Sequence, residues 1–308
     1  MLVNGIDAIY ISVKDLDRSL GFFRDSIGLE EVAGGPADPA WLTGLWGLGQ
    51  ETGAETASLK HPEQATLLRL VQFSPGPKRY LRDGHNVYDY GLFDIAFRTK
   101  DVEASLERLG QEGFGTVSPP AVYTADWAQV TVKEADLEGP DRLPLALIQR
   151  LTGVVPFEGD FSVMIDCAQF CEDYEAALAF YVDLLGLTPA FDMELPQGLI
   201  DPVVQTPAGT TSRMAFLVKP GSPVPAVELI GTDAESRHLD RGEGVPAYGL
   251  FSLGFEVEDL DQALEKISLA NYEILAGPLD LDRSGLPARR AALVEGPNRI
   301  ALEFFEKA

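Results

Sequence analysis

Two stretches of the chain, DLDRSLGFFRDSIGL at residues 15–29 and DYEAALAFYVDLLGL at residues 173–187, follow the same pattern. Each begins with an aspartate, continues with leucines and aromatic residues at helical spacing, and ends with Gly-Leu. A leading aspartate is typical of a helix N-cap, and a glycine after the last turn is typical of a helix stop. The pattern therefore predicts an amphipathic helix at each place.

Two further pairs of segments repeat at nearly the same spacing. RYLRDGHNVYDYGLF begins at Arg79 and RHLDRGEGVPAYGLF begins at Arg237, while EGPDR begins at Glu138 and EGPNR at Glu295. Three pairs in the same order indicate a tandem duplication. We therefore expect an N-terminal domain, residues 1–152, and a C-terminal domain, residues 153–308.

Each half divides once more into two similar units. Alternating apolar residues precede Asp101 and Asp259, a helical pattern follows each of them, and short strand-like runs come next. The pattern predicts four βαβββ modules, numbered 1 to 4, at residues 5–75, 88–150, 160–232 and 247–306. The predicted class is α+β, with modules paired into two curved, cleft-forming mixed sheets and helices outside. Chain order suggests that module 1 pairs with module 2, and module 3 with module 4.

Composition narrows the classes of partner. The formal net charge is −24, which argues against nucleic acid and against anionic membrane surfaces. No apolar run is long enough to span a membrane, and the first residues lack a basic segment followed by an apolar one. We expect a cytoplasmic protein, a monomer or homodimer, with a small-molecule ligand. Cys167 and Cys171 are expected to be buried, inert thiols.

The repeated motif also resembles a known family. A strand followed by Asp, a hydrophobic residue, and later Leu-x-Phe-(Phe/Tyr) is similar to the vicinal oxygen chelate superfamily, which includes glyoxalases, bleomycin-resistance proteins and extradiol dioxygenases. The segments SVKDLDRSLGFFRDSIGL and EDYEAALAFYVDLLGL carry the resemblance, and it extends over nearly the whole chain. It implies that two modules form one cleft, with a divalent metal at the floor held by residues of the first and last strands.

The resemblance also locates the positions of the metal ligands. The first-strand ligand of the family lies seven residues before the capping aspartate, and the last-strand ligand is usually glutamate. The first-strand positions are Ala8, Asp94, Asp166 and Ser252. The last-strand positions are Arg69, Ala146, Glu228 and Glu303.

None of these eight positions is histidine, the ligand that suits Fe(II), Zn and Ni. The three histidines, His61, His85 and His238, fall in loop-like sequence. We therefore expect no metal cofactor. The alternative is a divalent cation (Mg, Mn, Fe or Zn) held by carboxylate oxygens, for which the candidates are Asp166, Glu228 and Glu303.

The mapped residues distribute unequally between the halves. The N-terminal half has two alanines with Arg69 and Asp94, which suggests a structural role or a substrate-binding site without metal. The C-terminal half has Asp166, Glu228 and Glu303, which we expect to converge in one cleft. Three carboxylates in one cleft repel each other, so either one of them would hold a proton or the three together would bind a cation. Each acid could alternatively have no chemical role and pair with a nearby base.

These residues lead to three hypotheses about function. The first is a lyase or isomerase that acts on a small, oxygenated, partly apolar compound by acid–base chemistry, with Glu303 as the preferred base, then Glu228 and Asp166. In this hypothesis Ser252 orients a substrate oxygen. The second is a resistance-type protein that sequesters a small molecule. The third is a metal-dependent dioxygenase or glyoxalase with carboxylate ligands.

Two further features are open to two interpretations each. Trp41, Trp46, Tyr123 and Trp127 either line an apolar substrate pocket in the N-terminal half or belong to the core. The Pro- and Gly-rich stretch 191–211 either covers the C-terminal cleft as a lid or is a plain surface excursion. The chain has no Gly-rich phosphate loop and no G-x-S-x-G elbow, so nucleotide binding and serine-hydrolase chemistry have no support.

Overall fold

Each of the four predicted modules contains a strand, a helix and further strands. The computed structural model describes residues 2–3, 5–126, 129–239, 244–281 and 288–307. Module 1 comprises β1 (Ala8–Ser12), α1 (Leu16–Leu20), β2 (Glu30–Pro36), β3 (Gly53–Lys60) and β4 (Leu67–Ser74). Module 2 comprises β5 (Gly91–Thr99), α2 (Val102–Gln111), β6 (Gly115–Thr116), β7 (Ala121–Ala125), β8 (Val130–Glu138) and β9 (Pro144–Arg150).

The second half of the chain repeats this order. Module 3 comprises β10 (Phe161–Cys171), α3 (Tyr174–Ala179), β11 (Thr188–Glu194), the short α4 (Asp201–Val204), β12 (Ser212–Lys219) and β13 (Ser222–Thr232). Module 4 comprises β14 (Gly249–Val257), α5 (Leu260–Leu269), β15 (Ile274–Asp280), β16 (Ala288–Glu295) and β17 (Ala301–Lys307). Helices α1 and α3 continue as π-helical segments at Gly21–Ser26 and Phe180–Leu184, and a π-helical turn, Trp41–Leu45, lies between β2 and β3. Short 3₁₀ turns precede β9 and β17 at Pro140–Arg142 and Pro297–Arg299.

The predicted helix caps are confirmed. The side chains of Asp15, Asp101, Asp173 and Asp259 each accept a hydrogen bond from a backbone N–H three residues later. This contact satisfies one of the amide groups that a helix start leaves without an intrahelical partner. In addition, Gly28 after the first helix has a φ of 95°, a left-handed conformation that favours glycine.

The modules pair differently from the order expected from the sequence. The first sheet has the strand order β15-β16-β17-β14-β1-β4-β3-β2, so module 4 pairs with module 1. The second has the order β11-β12-β13-β10-β5-β9-β8-β6, with β7 added to β8, so module 3 pairs with module 2. The predicted fold class is confirmed, with two mixed sheets, but the predicted pairing of modules 1 with 2 and 3 with 4 is wrong. Each sheet contains one module from each half.

The joint between β1 and β14 explains how module 4 fits against module 1. The two strands are antiparallel, with Ala8 opposite Gly254 and Tyr10 opposite Ser252. A Cβ atom at Gly254 would lie 3.0 Å from both the Ala8 Cβ and the Tyr10 ring. The absence of a side chain at residue 254 therefore lets β14 approach β1 and leaves room for the Tyr10 ring of β1 beside residue 254.

Hydrophobic side chains fall on two sides of each sheet. The largest core cluster contains residues of all four modules and the buried faces of the helices, for example Phe22, Leu109, Phe180 and Leu264. The helices thus pack on the sheet faces opposite the clefts. Among the described residues, no helix has the length and hydropathy needed to cross a membrane.

The segments that connect the modules also contact each other. Residues 80 and 248 form a β-bridge, as do residues 90 and 238. The Arg237 side chain contacts the buried Asp89 carboxylate at 3.2 Å. The His85 Nδ1 lies 2.8 Å from that carboxylate, and the His238 Nε2 lies 2.9 Å from Glu172. Both histidines lie in the segments that connect the modules, as predicted.

Candidate functional site

The eight positions taken from the motif divide between two clefts. Modules 1 and 4 form the 1/4 cleft, which contains Ala8, Arg69, Ser252 and Glu303. Modules 2 and 3 form the 2/3 cleft, which contains Asp94, Ala146, Asp166 and Glu228. The expected convergence of Asp166, Glu228 and Glu303 is therefore wrong, because Glu303 lies in the other sheet. Arg69 and Asp94, which the sequence assigned to one site in the N-terminal half, likewise lie in different clefts.

The carboxylate of Glu303 in the 1/4 cleft is held by two hydrogen bonds. The Tyr10 hydroxyl donates to Oε1 at 2.9 Å, and the Trp41 indole Nε1 donates to Oε2 at 2.8 Å. Glu303 is 1% exposed. Burial raises the pKa of Glu303, while Trp41, the nearby Arg69 and Tyr10 oppose that shift. Buried acids that accept two direct donors are typically well ordered parts of a core.

Aromatic side chains fill the rest of the 1/4 cleft. Trp41 stacks on Tyr10 with ring centroids 6.2 Å apart, and Trp46 packs edge-on against Phe251 at 5.1 Å. Beside Tyr10 and Trp41 the remaining cavity is about 10 Å³, too small for an organic ligand. The structure thus supports the core interpretation for Trp41, while Trp127 lies outside the described residues.

Arg69 and Ser252 also make contacts within the 1/4 cleft. The buried Arg69 guanidinium donates to the Ser58 hydroxyl at 3.2 Å and lies 5.7 Å from the centre of the Tyr10 ring. The Ser252 hydroxyl donates to the Ala301 carbonyl oxygen of β17 at 2.7 Å. Both side chains are therefore occupied by the fold, and the proposed substrate contacts of Arg69 and Ser252 stay predictions.

The 2/3 cleft contains a cavity of about 480 Å³, which we call the acid cavity. This volume falls in the range of small-molecule sites. Every second residue of β5 faces it, namely Asp94, Ala96 and Arg98. On β10, the consecutive residues Ile165 and Asp166 both line the cavity, because the β5–β10 register shifts between Met164 and Asp166.

Asp166 and Glu228 form a coupled pair of carboxyl groups on neighbouring strands of the acid cavity. Asp166 is 1% exposed, and neither of its oxygens has a hydrogen-bond partner among the described groups unless Glu228 is protonated. Burial, together with the charge of Glu134, raises the pKa of Asp166 to about 7. Burial and the charge of Asp166 raise the pKa of Glu228 well above its usual value. Both carboxyl groups therefore hold protons more tightly than ordinary acids, which allows one of them to donate a hydrogen bond to the other.

Three more acids surround this pair. Asp94 is 4% exposed, and burial followed by the charges of Asp136 and Asp166 raises its pKa well above the usual value. Asp136 is fully buried behind the cavity wall with neither carboxyl oxygen paired, and burial likewise raises its pKa. Glu134 accepts a hydrogen bond from the Tyr123 hydroxyl, and burial raises its pKa to about 7. At neutral pH, the acids of this cavity therefore share several protons.

The remaining walls of the acid cavity are apolar or basic. Arg98 of β5 and Arg150 of β9 line it, and each is half-buried. The segment between β11 and β12 contributes Val203 and Val204 of α4 and Ile200, the residue before α4. These residues of the stretch 191–211 line the acid cavity, and the interpretation of the stretch as a lid stays a prediction.

Neither cleft offers the donor set that an imidazole-bound metal needs. Among the described residues, the 1/4 cleft has the carboxyl groups of Glu303 and Asp38 near the Arg69 guanidinium, and the 2/3 cleft has carboxyl and guanidinium groups but no imidazole. Among the residues that the structure describes, no group of three or more His, Cys, Asp or Glu side chains is arranged to hold a metal ion. The residues do not fit the family's metal, and we derive no step through one.

Motif spacing did not locate Glu134, Asp136, Arg98 or Arg150. The motif gives one position on the first strand and one on the last strand of each module. Glu134 and Asp136 lie on another strand, β8, and Arg98 and Arg150 lie at other positions of β5 and β9. The alternation of the segment VTVKEADLE on β8 is the signal that could have identified Glu134 and Asp136, because residues two apart on a strand share a face. Of the two interpretations left open for Tyr123, pocket lining or core, the structure supports the first, since Tyr123 lines the acid cavity.

Comparisons with known proteins agree with this architecture. The family model described as Glyoxalase/Bleomycin resistance protein/Dioxygenase superfamily matches residues 5–142 and 164–304. Among curated proteins, none has a sequence that matches this chain.

Solved structures of similar fold are more distant in sequence. Glyoxalase I from Zea mays is 16% identical, with a TM-score of 0.67 over 98% of this chain and 92% of that chain. A putative dioxygenase from Bacillus subtilis subsp. subtilis str. 168 is 12% identical, with a TM-score of 0.59 over 99% of this chain and 86% of that chain. Identities this low show a shared fold and nothing about the reaction.

Proposed function

The chain belongs to the Glyoxalase/Bleomycin resistance protein/Dioxygenase superfamily, and we propose that it is a lyase or isomerase that moves a proton on a small, oxygenated, partly apolar compound in the acid cavity. The observation that carries the proposal is the pair of buried carboxyl groups, Asp166 and Glu228, which lie on neighbouring strands in a cavity of about 480 Å³ and have raised pKa values.

A carboxylate next to a carboxylic acid can take and give a proton in the same step. In the proposed reaction the Asp166 carboxylate takes a proton from the carbon next to a substrate carbonyl. The Glu228 carboxyl gives its proton to the carbonyl oxygen, so a C–H bond breaks, an O–H bond forms and an enol results. Return of a proton at another carbon isomerises the compound, whereas loss of a neighbouring group gives a lyase product.

The surroundings favour this proton transfer in two ways. A base works best when its pKa lies near the working pH, and the pKa of Asp166 is about 7. Val203 and Val204 of α4 line the cavity, and apolar walls strengthen the electrostatic contacts made beside them.

The proposal differs from the hypothesis based on sequence in the identity of the base. Glu303 was the preferred base, but it is bound to Tyr10 and Trp41 in a cleft with almost no free volume. We propose a structural role for Glu303 and assign proton transfer to Asp166 and Glu228. The cytoplasmic location stays a prediction.

Solvent deuterium exchange tests this assignment without knowledge of the natural substrate. A panel of small ketones, aldehydes and hydroxyketones in D2O is followed by proton NMR for exchange at the carbon next to the carbonyl. We expect accelerated exchange of at least one panel member, with a loss of about 100-fold or more in Asp166→Asn and Glu228→Gln. Glu303→Gln is the matched control, since Glu303 occupies the corresponding position of module 4.

Two outcomes would contradict the proposal. Unchanged exchange in Asp166→Asn and Glu228→Gln would remove the acid cavity as the reaction site. Loss of exchange in Glu303→Gln alone would restore the hypothesis that Glu303 is the base.

The apolar walls of the acid cavity favour a second candidate, the sequestration of a small molecule without turnover. Ile148, Phe216 and the α4 residues provide a surface for an apolar ligand. Ligand binding in equilibrium dialysis, combined with no product and no proton exchange, would favour it. The described tryptophans lie in the 1/4 cleft, so their fluorescence is not a direct reporter of this cavity. Near-stoichiometric Fe, Mn, Ni or Zn in protein purified without chelator would favour the metal-dependent alternative.

A further inference from the structure

We infer that the ligand of the acid cavity carries a protonated amine attached to an apolar body. This inference adds a substrate class to the proposed function. It rests on the proposed function in one respect, namely that the acid cavity is the binding site. The observation behind it is the set of buried carboxyl oxygens without partners that face or adjoin the cavity, on Asp94, Asp166 and Asp136.

Unpaired buried acceptors are rare in folded proteins because each loses its hydrogen bonds to water without replacement. Asp166 is 1% exposed and its oxygens have no partner other than Glu228, and Asp94 is 4% exposed with Oδ1 unpaired. Both residues line the cavity. A ligand that donates hydrogen bonds would therefore satisfy groups that the fold leaves unsatisfied.

The charges around the cavity favour a cationic donor. The carboxyl groups that face or adjoin it come from four strands: Asp94 on β5, Glu134 and Asp136 on β8, Asp166 on β10 and Glu228 on β13. The other titratable groups near them are Arg98, Arg150, Tyr123, Cys167 and, behind Asp94, Arg82. Five acids outnumber three guanidinium groups, and a bound cation would stabilise the ionised form of the acids, so that protons leave the cluster as the cation binds.

The arrangement of the acids favours an ammonium group over other cations. Asp94, Asp166 and Glu228 lie on three adjacent strands, which are about 4.8 Å apart in a sheet. An ammonium group has three donors that point in different directions and can reach separate carboxyl groups. A guanidinium donates in one plane and matches a single carboxylate best. A carboxylate ligand has no donor for the carboxyl oxygens that lack partners.

The rest of the cavity fits an apolar body of modest size. Val203 and Val204 of α4, together with Ile148 and Phe216, lie on its walls. Burial of a ring against these side chains contributes roughly 25 cal/mol for each Å² of apolar surface. The ligand class is therefore an aryl or alkyl amine.

Isothermal titration calorimetry with three matched probes tests the inference on the wild-type protein. The probes are benzylamine, benzyl alcohol and benzoate at neutral pH, which share the ring and differ in charge. We expect benzylamine to bind at least about ten-fold more tightly than benzyl alcohol, and benzoate to bind weakest, because a charge-assisted hydrogen bond contributes more than a neutral one.

Two variants identify the acids involved. Asp94→Asn and Asp166→Asn should each weaken benzylamine binding by about ten-fold or more and leave benzyl alcohol within about two-fold, because Asn cannot ionise to pair with the ammonium group. Glu303→Gln, in the 1/4 cleft, should leave the binding of all three probes within about two-fold.

Several results would overturn the inference. Equal binding of benzylamine and benzyl alcohol, tighter binding of benzoate, or no binding of benzylamine would each do so. A response to Mn²⁺ without a response to benzylamine would assign the acids to a divalent cation instead. Amine selectivity without proton exchange on any carbonyl compound would reject only the proposed function, and exchange without amine selectivity would reject only the amine inference.

Discussion

Replacement of Asp166 by Asn should change how the stability of the protein depends on pH. Asp166 is buried, and its pKa is raised from 3.8 to about 7 by burial first and the charge of Glu134 second. The folded protein therefore holds a proton on Asp166 at pH values where the unfolded chain has lost it. Stability linked to this group is fully present below pH 4 or so and is lost as the pH rises towards and through 7.

The size of the effect follows from the shift in pKa. Each pKa unit corresponds to 1.36 kcal/mol, so a shift of about three units gives an upper value of about 4 kcal/mol above pH 7. Asn has no charge to desolvate, and it can hydrogen-bond to the protonated Glu228. The free energy of unfolding of Asp166→Asn minus that of the wild type should rise by up to about 4 kcal/mol between pH 4 and pH 8.

Urea denaturation followed by circular dichroism at several pH values measures this difference. Asp192→Asn is a control of opposite sign, since Arg213 at 2.7 Å lowers the pKa of Asp192. The stabilisation from Asp192 is present above the unfolded pKa near 4 and is lost as the pH falls. A stability difference for Asp166→Asn that does not change with pH would refute the raised pKa and the reasoning built on it.

Three other predictions concern the parts of the molecule outside the acid cavity. Glu303→Gln should lower the free energy of unfolding by about 1–3 kcal/mol, because Gln has one acceptor oxygen for the donors Tyr10 and Trp41; an unchanged urea midpoint would argue against a structural role. Residues 1–152 and 153–308 expressed separately should not give folded monomers, since both sheets need strands from each half, whereas co-expression should yield a complex; a folded monomeric half in analytical ultracentrifugation would contradict the pairing. Cys167 and Cys171 should resist thiol reagents in the native protein, because both are buried and burial raises both pKa values, that of Cys171 to about 12; rapid modification without denaturant would count against their burial.

Much of the local structure follows from the sequence pattern. The aspartates at 15, 101, 173 and 259 cap helices because a short acidic side chain reaches the free amide groups of the first turn. The seven-residue spacing before these caps also placed Asp94 and Asp166 on cleft-facing positions, because a fixed distance along a strand fixes the face on which a side chain lies, but it assigned them to different clefts although they line the same one.

The pairing of modules could not be predicted from the same pattern. All four first strands have similar alternation, so each could join to any of the others. The choice depends on details such as Gly254 opposite Ala8, which are visible only once two strands are placed side by side. The expectation that Glu303 joins Asp166 failed for this reason.

The state of each cleft was also beyond the sequence. Trp41 lies in a π-helical turn within the connection between β2 and β3, and only its folded position shows that it occupies the 1/4 cleft. The corresponding connection in module 3 contributes the smaller Val203 and Val204, which leave the acid cavity open. The difference between a filled and an open cleft thus depends on the side chains of two connections, between β2 and β3 and between β11 and β12, both of which are largely apolar.

Carbon-13 NMR titration of the Asp and Glu carboxyl carbons tests the central claim most directly, because it measures which acids hold protons at neutral pH. The assigned carboxyls of Asp166 and Glu134 should titrate with pKa values of about 7, and Glu228 should titrate at higher pH than an ordinary glutamate. If all three titrate below pH 5 or so, in the range of solvent-exposed acids, the acid cavity holds no shared protons and the account given for it is wrong.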